Sequence, residues 1–150
     1  MLSSQDRQTI ASFLHSQPMA TISTIDAESK GPQSALIAFA EFEGLNLIFE
    51  TFSDTRKFTN LQTDPRVALV IGWATDKPHY TTVQYEGIAS PVSDDMIDHY
   101  RDIFLAKDTP CTAEFLRHPH VRLFTVKPSW IRYSDYRNET PHIIEMVLSI

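Results

Sequence analysis

Alternating apolar and polar positions dominate the chain, and they predict mainly β structure. Residues 19–25 are rich in Thr and Ile, and residues 33–42 and 45–51 flank a two-residue turn at Glu43 and Gly44. This order is typical of a strand followed by a β-hairpin. Further strands are predicted at residues 67–73, 80–92, 121–126, 129–136 and 142–148. Seven or eight strands with few helices favour a closed or nearly closed antiparallel β-barrel.

Four segments have a helical pattern instead. At the N-terminus, Ile10, Phe13 and Leu14 share one face, and the helix they predict ends before Pro18. The other predicted helices are one that begins near Thr55 or Arg56 and ends at Pro65, one that begins after Ser93, and one over residues 112–117.

The predicted strand at residues 33–42 is apolar on both faces. One face carries Ala35, Ile37 and Phe39, and the other carries Leu36, Ala38 and Phe42. A barrel interior covers only one face of a strand, so a helix, a ligand or a second subunit must cover the other.

Length and charge narrow the class of protein. A chain of 150 residues with 42% apolar side chains predicts one globular domain over residues 1–150. The formal net charge is −6, and the 13 basic residues are scattered, which argues against binding to nucleic acid. No apolar stretch is long enough to cross a membrane, and Cys111 is the single cysteine. We therefore expect a cytoplasmic protein in a reducing compartment.

The most informative stretch, residues 49–61, runs from a strand through a loop into a helix. Ser53 and Thr55 can cap that helix, and Arg56 and Lys57 occupy its first turn. Because the N-terminus of a helix already carries partial positive charge, two cations are unfavourable there unless an anion is bound. Hydroxyls, free backbone N–H groups and two cations together indicate a phosphate site. A solvated Arg-Lys pair is the alternative.

Other chemically reactive side chains give weaker indications. His118 and His120 lie close in sequence but have no third ligand at suitable spacing, so no metal site is expected. Trp73, Trp130 and Tyr133 can stack on a ligand or fill a core. No catalytic triad or dyad is evident, and no catalytic residue is predicted.

From residue 19 to about residue 136, the chain resembles the pyridoxamine 5'-phosphate oxidase-like, FMN-binding split-barrel proteins. The most specific likeness is a strand that ends at Thr51, then a short turn, then Thr55-Arg56-Lys57 at the start of a helix. The family order continues with Asp64-Pro65 before residues 67–73, Tyr85-Glu86-Gly87, and the late strand that follows Lys127-Pro128. The resemblance implies an antiparallel split β-barrel that is mainly β with a few helices.

The resemblance also implies which residues bind FMN. It places Arg56 and Lys57 on the flavin phosphate, with Ser53 and Thr55 as nearby donors. Around the ring and the ribityl chain it places Ala35, Leu36, Ile37, Glu50 and Thr51 from one subunit, and Thr82, Gln84 and Tyr133 from across a dimer interface.

Such proteins are usually homodimers with the cofactor at the interface, and FMN itself carries electrons. The resemblance therefore implies an oxidoreductase that passes electrons from a reduced nicotinamide to a small-molecule acceptor. A non-enzymatic flavin or haem binder, acting as carrier, sensor or store, is the alternative. Residues 136–142 lack the basic and His pattern with which the true oxidase holds pyridoxal phosphate, so we expect a member similar to general stress proteins.

Overall fold

Seven strands and four α-helices make up the described part of the chain, which comprises residues 3–72 and 81–149 of a computed structural model. The strands are β1 (Met19–Ile25), β2 (Pro32–Phe42), β3 (Asn46–Phe52), β4 (Arg66–Ile71), β5 (Thr81–Pro91), β6 (Val121–Asp135) and β7 (His142–Val147). The helices are α1 (Ser4–Ser16), α2 (Arg56–Thr63), α3 (Ile97–Ala106) and α4 (Ala113–Leu116). The predictions for Trp73 and Tyr80 lie outside the described residues.

Six of these strands close into an antiparallel barrel. Each strand from β1 to β6 pairs with two other strands of the ring, in the circular order β1, β2, β3, β6, β5, β4 and back to β1. The pairing of β3 with β6 closes the ring. The split-barrel fold expected from the sequence is therefore confirmed.

The two strands predicted at residues 121–126 and 129–136 are in fact one strand, β6. Its first half pairs with β3 and its second half pairs with β7, while β5 pairs along both halves. Pro128 cannot donate a backbone hydrogen bond, and beside it the register with β5 shifts between Glu86 and Gly87, which leaves Ser129 of β6 without a partner on β5. A proline at a bulge thus interrupts the hydrophobic pattern without ending the strand.

Gly87 at this bulge should tolerate no side chain. A methyl group there would fall on the carbonyl oxygen of Lys127 and lie 2.8 Å from Cγ1 of Val126. We expect Gly87→Ala to lower the free energy of unfolding by about 2 kcal/mol through overpacking, measured by urea denaturation. In the matched control Gly31→Ala, the nearest atom would be Ser29 Oγ at 3.4 Å, and stability should hardly change. Equal effects of the two variants would contradict the crowding at Gly87.

A hydrophobic core fills the barrel, and a helix covers each of its ends. Ile10 and Leu14 of α1 are completely buried at one end, and Leu61 of α2 is buried at the other. Phe58 of α2 packs edge-on against Phe124 of β6. None of the described helices has the length and apolar character that a bilayer span requires.

A second hydrophobic cluster, outside the barrel, covers part of the outer apolar face of β2. Ala38 and Ala40 on its outer face pack with Phe104 of α3 and Leu116 of α4. Helices therefore cover this half of the outer face. Leu36, further back on the same face, is 51% exposed.

Lys107, directly after α3, joins three elements at the end of the barrel that α1 covers. Its ammonium group donates to the carbonyl oxygen of Leu14 at 2.8 Å and to Oε2 of Glu41 at 2.7 Å. The same nitrogen lies 3.7 Å from the ring centroid of Phe39. Only 4% of the lysine side chain is exposed, so this is a buried ion pair that links α1, β2 and the end of α3.

Candidate functional site

The barrel is open along one edge of β2. β3 pairs with β2 only opposite residues 39–42 and then continues along β6, so residues 32–38 of β2 pair with β1 alone. Where β3 ends, the chain turns into α2, and Asn60 of α2 donates to Oε1 of Gln33 at 2.7 Å. The turn between β3 and α2 and the free edge of β2 thus lie on the same side of the barrel.

The junction between β3 and α2 is rich in hydroxyl groups. Thr55 is the N-cap of α2, because its Oγ1 accepts from the backbone N–H of Phe58 at 3.3 Å. The Thr55 hydroxyl also lies 2.9 Å from that of Thr51, which is buried. The helix begins at Arg56, as the sequence predicts. The backbone N–H groups of Arg56 and Lys57 donate to no acceptor among the described residues. They are therefore free to bind an anion.

Lys57 brings a partly desolvated cation to this junction. Its ammonium group lies 5.7 Å from the ring centroid of Phe49, and burial lowers its pKa. The nearby Glu50 acts in the opposite direction and raises the pKa of Lys57. Burial in turn raises the pKa of Glu50, an effect that Lys57 opposes. Within the described part of the chain the two groups form no ion pair, so the positive charge of Lys57 remains available to a bound anion.

Arg56 has an anionic partner that the sequence did not indicate. Its Nη2 donates to Oδ2 of Asp26, in the turn between β1 and β2, at 2.8 Å. The Arg56 guanidinium lowers the pKa of this carboxyl well below its usual range. The unfavourable position of Arg56 in the first turn of α2 is thus compensated by a charge 30 residues away in sequence.

Asn60, also missed by the sequence analysis, fixes α2 against the same turn. The side chain is buried, and its Oδ1 accepts from the backbone N–H of Ala27 at 3.0 Å. Its Nδ2 donates to Thr24 Oγ1 at 2.9 Å and to Gln33. An asparagine in a short polar helix carries no sequence signal for such a role, since the three partners come from β1, β2 and the turn between them.

The other predicted cofactor residues fall into two groups. On β2, beside the open edge, Leu36 points outward, whereas Ala35 and Ile37 lie on the inward face with the core. Thr82 and Gln84 lie on the outer face of β5, which is separated from β3 by β6. Within one chain the structure therefore does not bring Thr82 and Gln84 to the β3–α2 junction.

Tyr133 lies far from this junction. It is buried in the barrel core, and its ring packs edge-on against Phe13 of α1, with centroids 5.8 Å apart. α1 covers the end of the barrel opposite α2. Within one chain the Tyr133 side chain is therefore part of the core, and its approach to the cofactor of a neighbouring subunit stays a prediction.

Asp135, close to Tyr133, forms a bidentate ion pair with Arg137. The guanidinium of Arg137 holds the pKa of Asp135 well below its usual range. A carboxyl of this kind stabilises the folded state at pH values above its pKa in the unfolded chain, which is about 3.9. This contribution is lost as the pH falls toward the lower pKa that the group has in the folded state.

We therefore expect the stability difference between wild type and Asp135→Asn to be constant above pH 5 and to shrink below about pH 4. Urea midpoints measured from pH 7 to pH 2.5 test this. A difference that grows on acidification would contradict the pairing.

A row of two apolar and two polar side chains crosses the outer face of the sheet, and we call it the outer row. Strand register aligns Leu36, Thr21, Val70 and Gln84 on β2, β1, β4 and β5. Val70 is 53% exposed, similar to Leu36. Trp130 lies nearby and lines a pocket of about 160 Å³ together with three of these residues. The half-exposed apolar side chains of Leu36 and Val70 make this row a candidate interaction surface.

The histidines and the cysteine offer less chemistry. The rings of His118 and His120 are 5.6 Å apart, and His118 also packs edge-on against Phe52. The described residues contain no cluster of three or more side chains suited to binding a metal. Burial raises the pKa of the Cys111 thiol to about 11, so this thiol stays protonated near neutral pH and is a poor nucleophile.

Comparison with known proteins places this geometry in a family. The sequence profile of a family described as pyridoxamine 5'-phosphate oxidase matches residues 7–135. No functionally curated protein matches the chain.

Solved structures show the same fold at low sequence identity. A pyridoxamine 5'-phosphate oxidase-related, FMN binding protein from Nostoc punctiforme is 13% identical, with a TM-score of 0.68 over 100% of both chains. General Stress Protein 26 from Bacillus anthracis is 19% identical, with a TM-score of 0.67 over 95% of this chain and 99% of that one. A heme binding protein from Mycobacterium smegmatis is 14% identical, with a TM-score of 0.77 over 98% of this chain but only 60% of that one.

Identities in this range show the fold alone, whereas the family profile covers most of the chain. The chain belongs to the pyridoxamine 5'-phosphate oxidase-like, FMN-binding split-barrel family.

Proposed function

We propose that this protein binds FMN, with the flavin phosphate at the junction of β3 and α2. One observation carries the proposal: in a chain of this family, the helix that starts at Arg56 presents free backbone N–H groups beside a half-buried lysine that forms no ion pair among the described residues. Both features favour a bound anion. The Nostoc punctiforme protein of the same fold, described as FMN binding, supports the choice of cofactor.

The donors at this junction fit a phosphate monoester. Such a group is close to a dianion at neutral pH and has three terminal oxygens that accept hydrogen bonds. The backbone N–H groups of Arg56 and Lys57 and the Lys57 ammonium supply donors and positive charge, and the nearby Ser53 hydroxyl is a further donor. The Thr55 hydroxyl donates to the carbonyl oxygen of Phe52 at 2.8 Å, so it caps α2 and is not counted among the donors to the phosphate. The open edge of β2 near Leu36, together with Glu50 and Thr51 at the end of β3, would hold the rest of the flavin.

We further propose that the protein is an oxidoreductase. FMN, when bound, accepts and donates electrons, which is why no protein nucleophile is needed. The protein residues bind the phosphate, orient the flavin and limit its contact with water. The proposed electron donor is a reduced nicotinamide, and the acceptor is a small molecule.

We also propose a homodimer with the cofactor at the interface. The outer row, with Leu36 and Val70 half exposed, is the surface that a second copy would cover. In that dimer Thr82 and Gln84 of one subunit would approach the flavin of the other. The approach of Tyr133 to that flavin stays a prediction, since within one chain its side chain packs in the core.

Haem binding is the second candidate function. It is favoured by the high structural similarity to the Mycobacterium smegmatis protein, which is described as a heme binding protein. His118 and His120 are exposed, and either is suited to ligating a haem iron. Binding through an imidazole would not depend on Arg56 or Lys57.

The absorption spectrum of the freshly purified protein, with its mass in solution, tests these proposals. A flavin spectrum on a dimer, with FMN released on denaturation, is the expected result, and oxidation of NADH or NADPH with small acceptors would then be assayed. A Soret band would favour the haem candidate. A colourless protein that also fails to bind FMN in a titration would contradict the proposed function.

A further inference from the structure

We propose that Asp26 is a positioning residue, which holds the Arg56 guanidinium in place for the flavin phosphate. This inference rests on the proposed function and assigns a role to a residue of the β1–β2 turn. That turn lies outside the strand–loop–helix segment on which the phosphate site itself is built. Its basis is a chain of hydrogen bonds that runs from the turn, through one carboxylate, to the first residue of α2.

The Asp26 carboxylate is held rigidly by its own turn. Oδ1 accepts from the backbone N–H of Ser29 at 2.8 Å, from the Ser29 hydroxyl at 2.8 Å and from the backbone N–H of Glu28 at 3.2 Å. The turn is closed by the backbone bond from Asp26 N–H to the Gly31 carbonyl oxygen, at 2.8 Å. Oδ2 takes no part in these bonds, and it is this oxygen that accepts from Arg56.

A second contact also fixes the β1–β2 turn to α2. The Ala27 N–H donates to Asn60, one helical turn beyond Arg56. The turn that carries Asp26 is thus bonded to α2 at two points, and the distance between the Asp26 carboxylate and the start of α2 is constrained.

Arg56 keeps most of its donors after pairing with Asp26. A guanidinium has five N–H donors, and the contact with Oδ2 uses Nη2. In the described part of the chain, Nε and Nη1 have no acceptor, so an anion at the start of α2 can bind Arg56 without displacing Asp26.

Without Asp26 the arginine would be poorly ordered. The Arg56 side chain is 69% exposed, and the bond to Asp26 is its one hydrogen bond to a described residue. A long exposed side chain loses rotamer freedom when it binds a ligand, and a partner that orders it beforehand reduces that loss. Ordering by Asp26 should therefore strengthen binding of the phosphate, even though the carboxylate is itself negative.

The test is the preference for FMN over riboflavin, since the two ligands differ only in the phosphate. We expect Asp26→Asn to reduce the ratio of the two affinities by about three- to tenfold, measured by fluorescence titration, with riboflavin affinity unchanged. In an Arg56→Ala background, Asp26→Asn should have no further effect, because Asp26 acts through Arg56. A role of Asp26 in folding alone would change the affinities for both ligands and would persist in that background.

Two further variants make the test independent of folding and of net charge. Asp64→Asn removes another arginine-paired carboxylate at the opposite end of α2 and should leave the ratio unchanged. Ser29→Ala keeps the Asp26 charge but loosens its carboxylate, and it should lower the ratio in the same direction by a smaller factor.

An unchanged or increased ratio in both Asp26→Asn and Ser29→Ala would overturn the inference, and an increase would mean that Asp26 competes with the phosphate. If the wild-type protein itself shows no preference for FMN over riboflavin, the proposed phosphate site fails, and this inference fails with it.

Discussion

Lys107→Ala is expected to lower the free energy of unfolding by about 3 kcal/mol, because it breaks a buried ion pair from one side. The substitution leaves Glu41 without its buried cation, removes the hydrogen bond to the Leu14 carbonyl and uncovers the face of Phe39. His15 Nδ1, 2.6 Å from Oε1 of Glu41, can compensate only in part, since that ring is largely exposed. For a chain of this size such a loss corresponds to a decrease of roughly 6–12 °C in Tm.

Thermal and urea denaturation of Lys107→Ala measure this effect. The matched control is Arg66→Ala, which breaks the ion pair to Asp64 where the arginine side chain is 71% exposed. Exposed pairs contribute little to stability, so the control should unfold almost like wild type. Similar midpoints for the two variants would show that Lys107 does not hold α1 and α3 to the barrel as the structure indicates.

The double variant Arg56→Ala, Lys57→Ala is expected to weaken FMN binding by about 100-fold or more, since each charge-assisted contact with a phosphate contributes on the order of 1.5–3 kcal/mol. Riboflavin, which has no phosphate, should lose only a few-fold in affinity. The two side chains contribute little to the core, so the variant should remain folded. Titration by flavin fluorescence measures both affinities on the same protein.

A control of equal charge separates a phosphate site from general attraction. Arg7→Ala, Lys127→Ala removes two exposed cations from α1 and β6 and makes the same change in net charge. It should leave FMN affinity within a few-fold of wild type. If both double variants weaken FMN equally, or if neither does, the assignment of the phosphate to the start of α2 is wrong.

Most of the secondary structure follows from local sequence patterns. The Thr- and Ile-rich composition of residues 19–25 and the N-cap at Thr55 each depend on a few neighbouring residues, and both elements begin where predicted. The pattern was misleading around Pro128, where it suggested two strands. A bulge in β6 at Ser129 allows one continuous strand there, and no local rule places that bulge.

The candidate phosphate site was accessible from sequence for the same reason. The hydroxyls, the two cations and the start of α2 lie within a few residues of one another. Helix capping and the helix dipole act over that range, so the segment indicates a candidate site before the fold is known.

Only the tertiary structure decided which groups complete the site and what holds the barrel together. Asp26 meets Arg56 across 30 residues, and Lys107 meets Leu14 across 93. The tertiary structure also places Tyr133 in the core of its own chain, whereas the sequence pattern of a strand aromatic fits a core position and a ligand contact equally well. Ion pairs and burial depend on which strands become neighbours, and here that is set by closure of the ring between β3 and β6. Local periodicity determines the elements, but long-range strand pairing determines which side chains meet, because it joins residues that no sequence window contains.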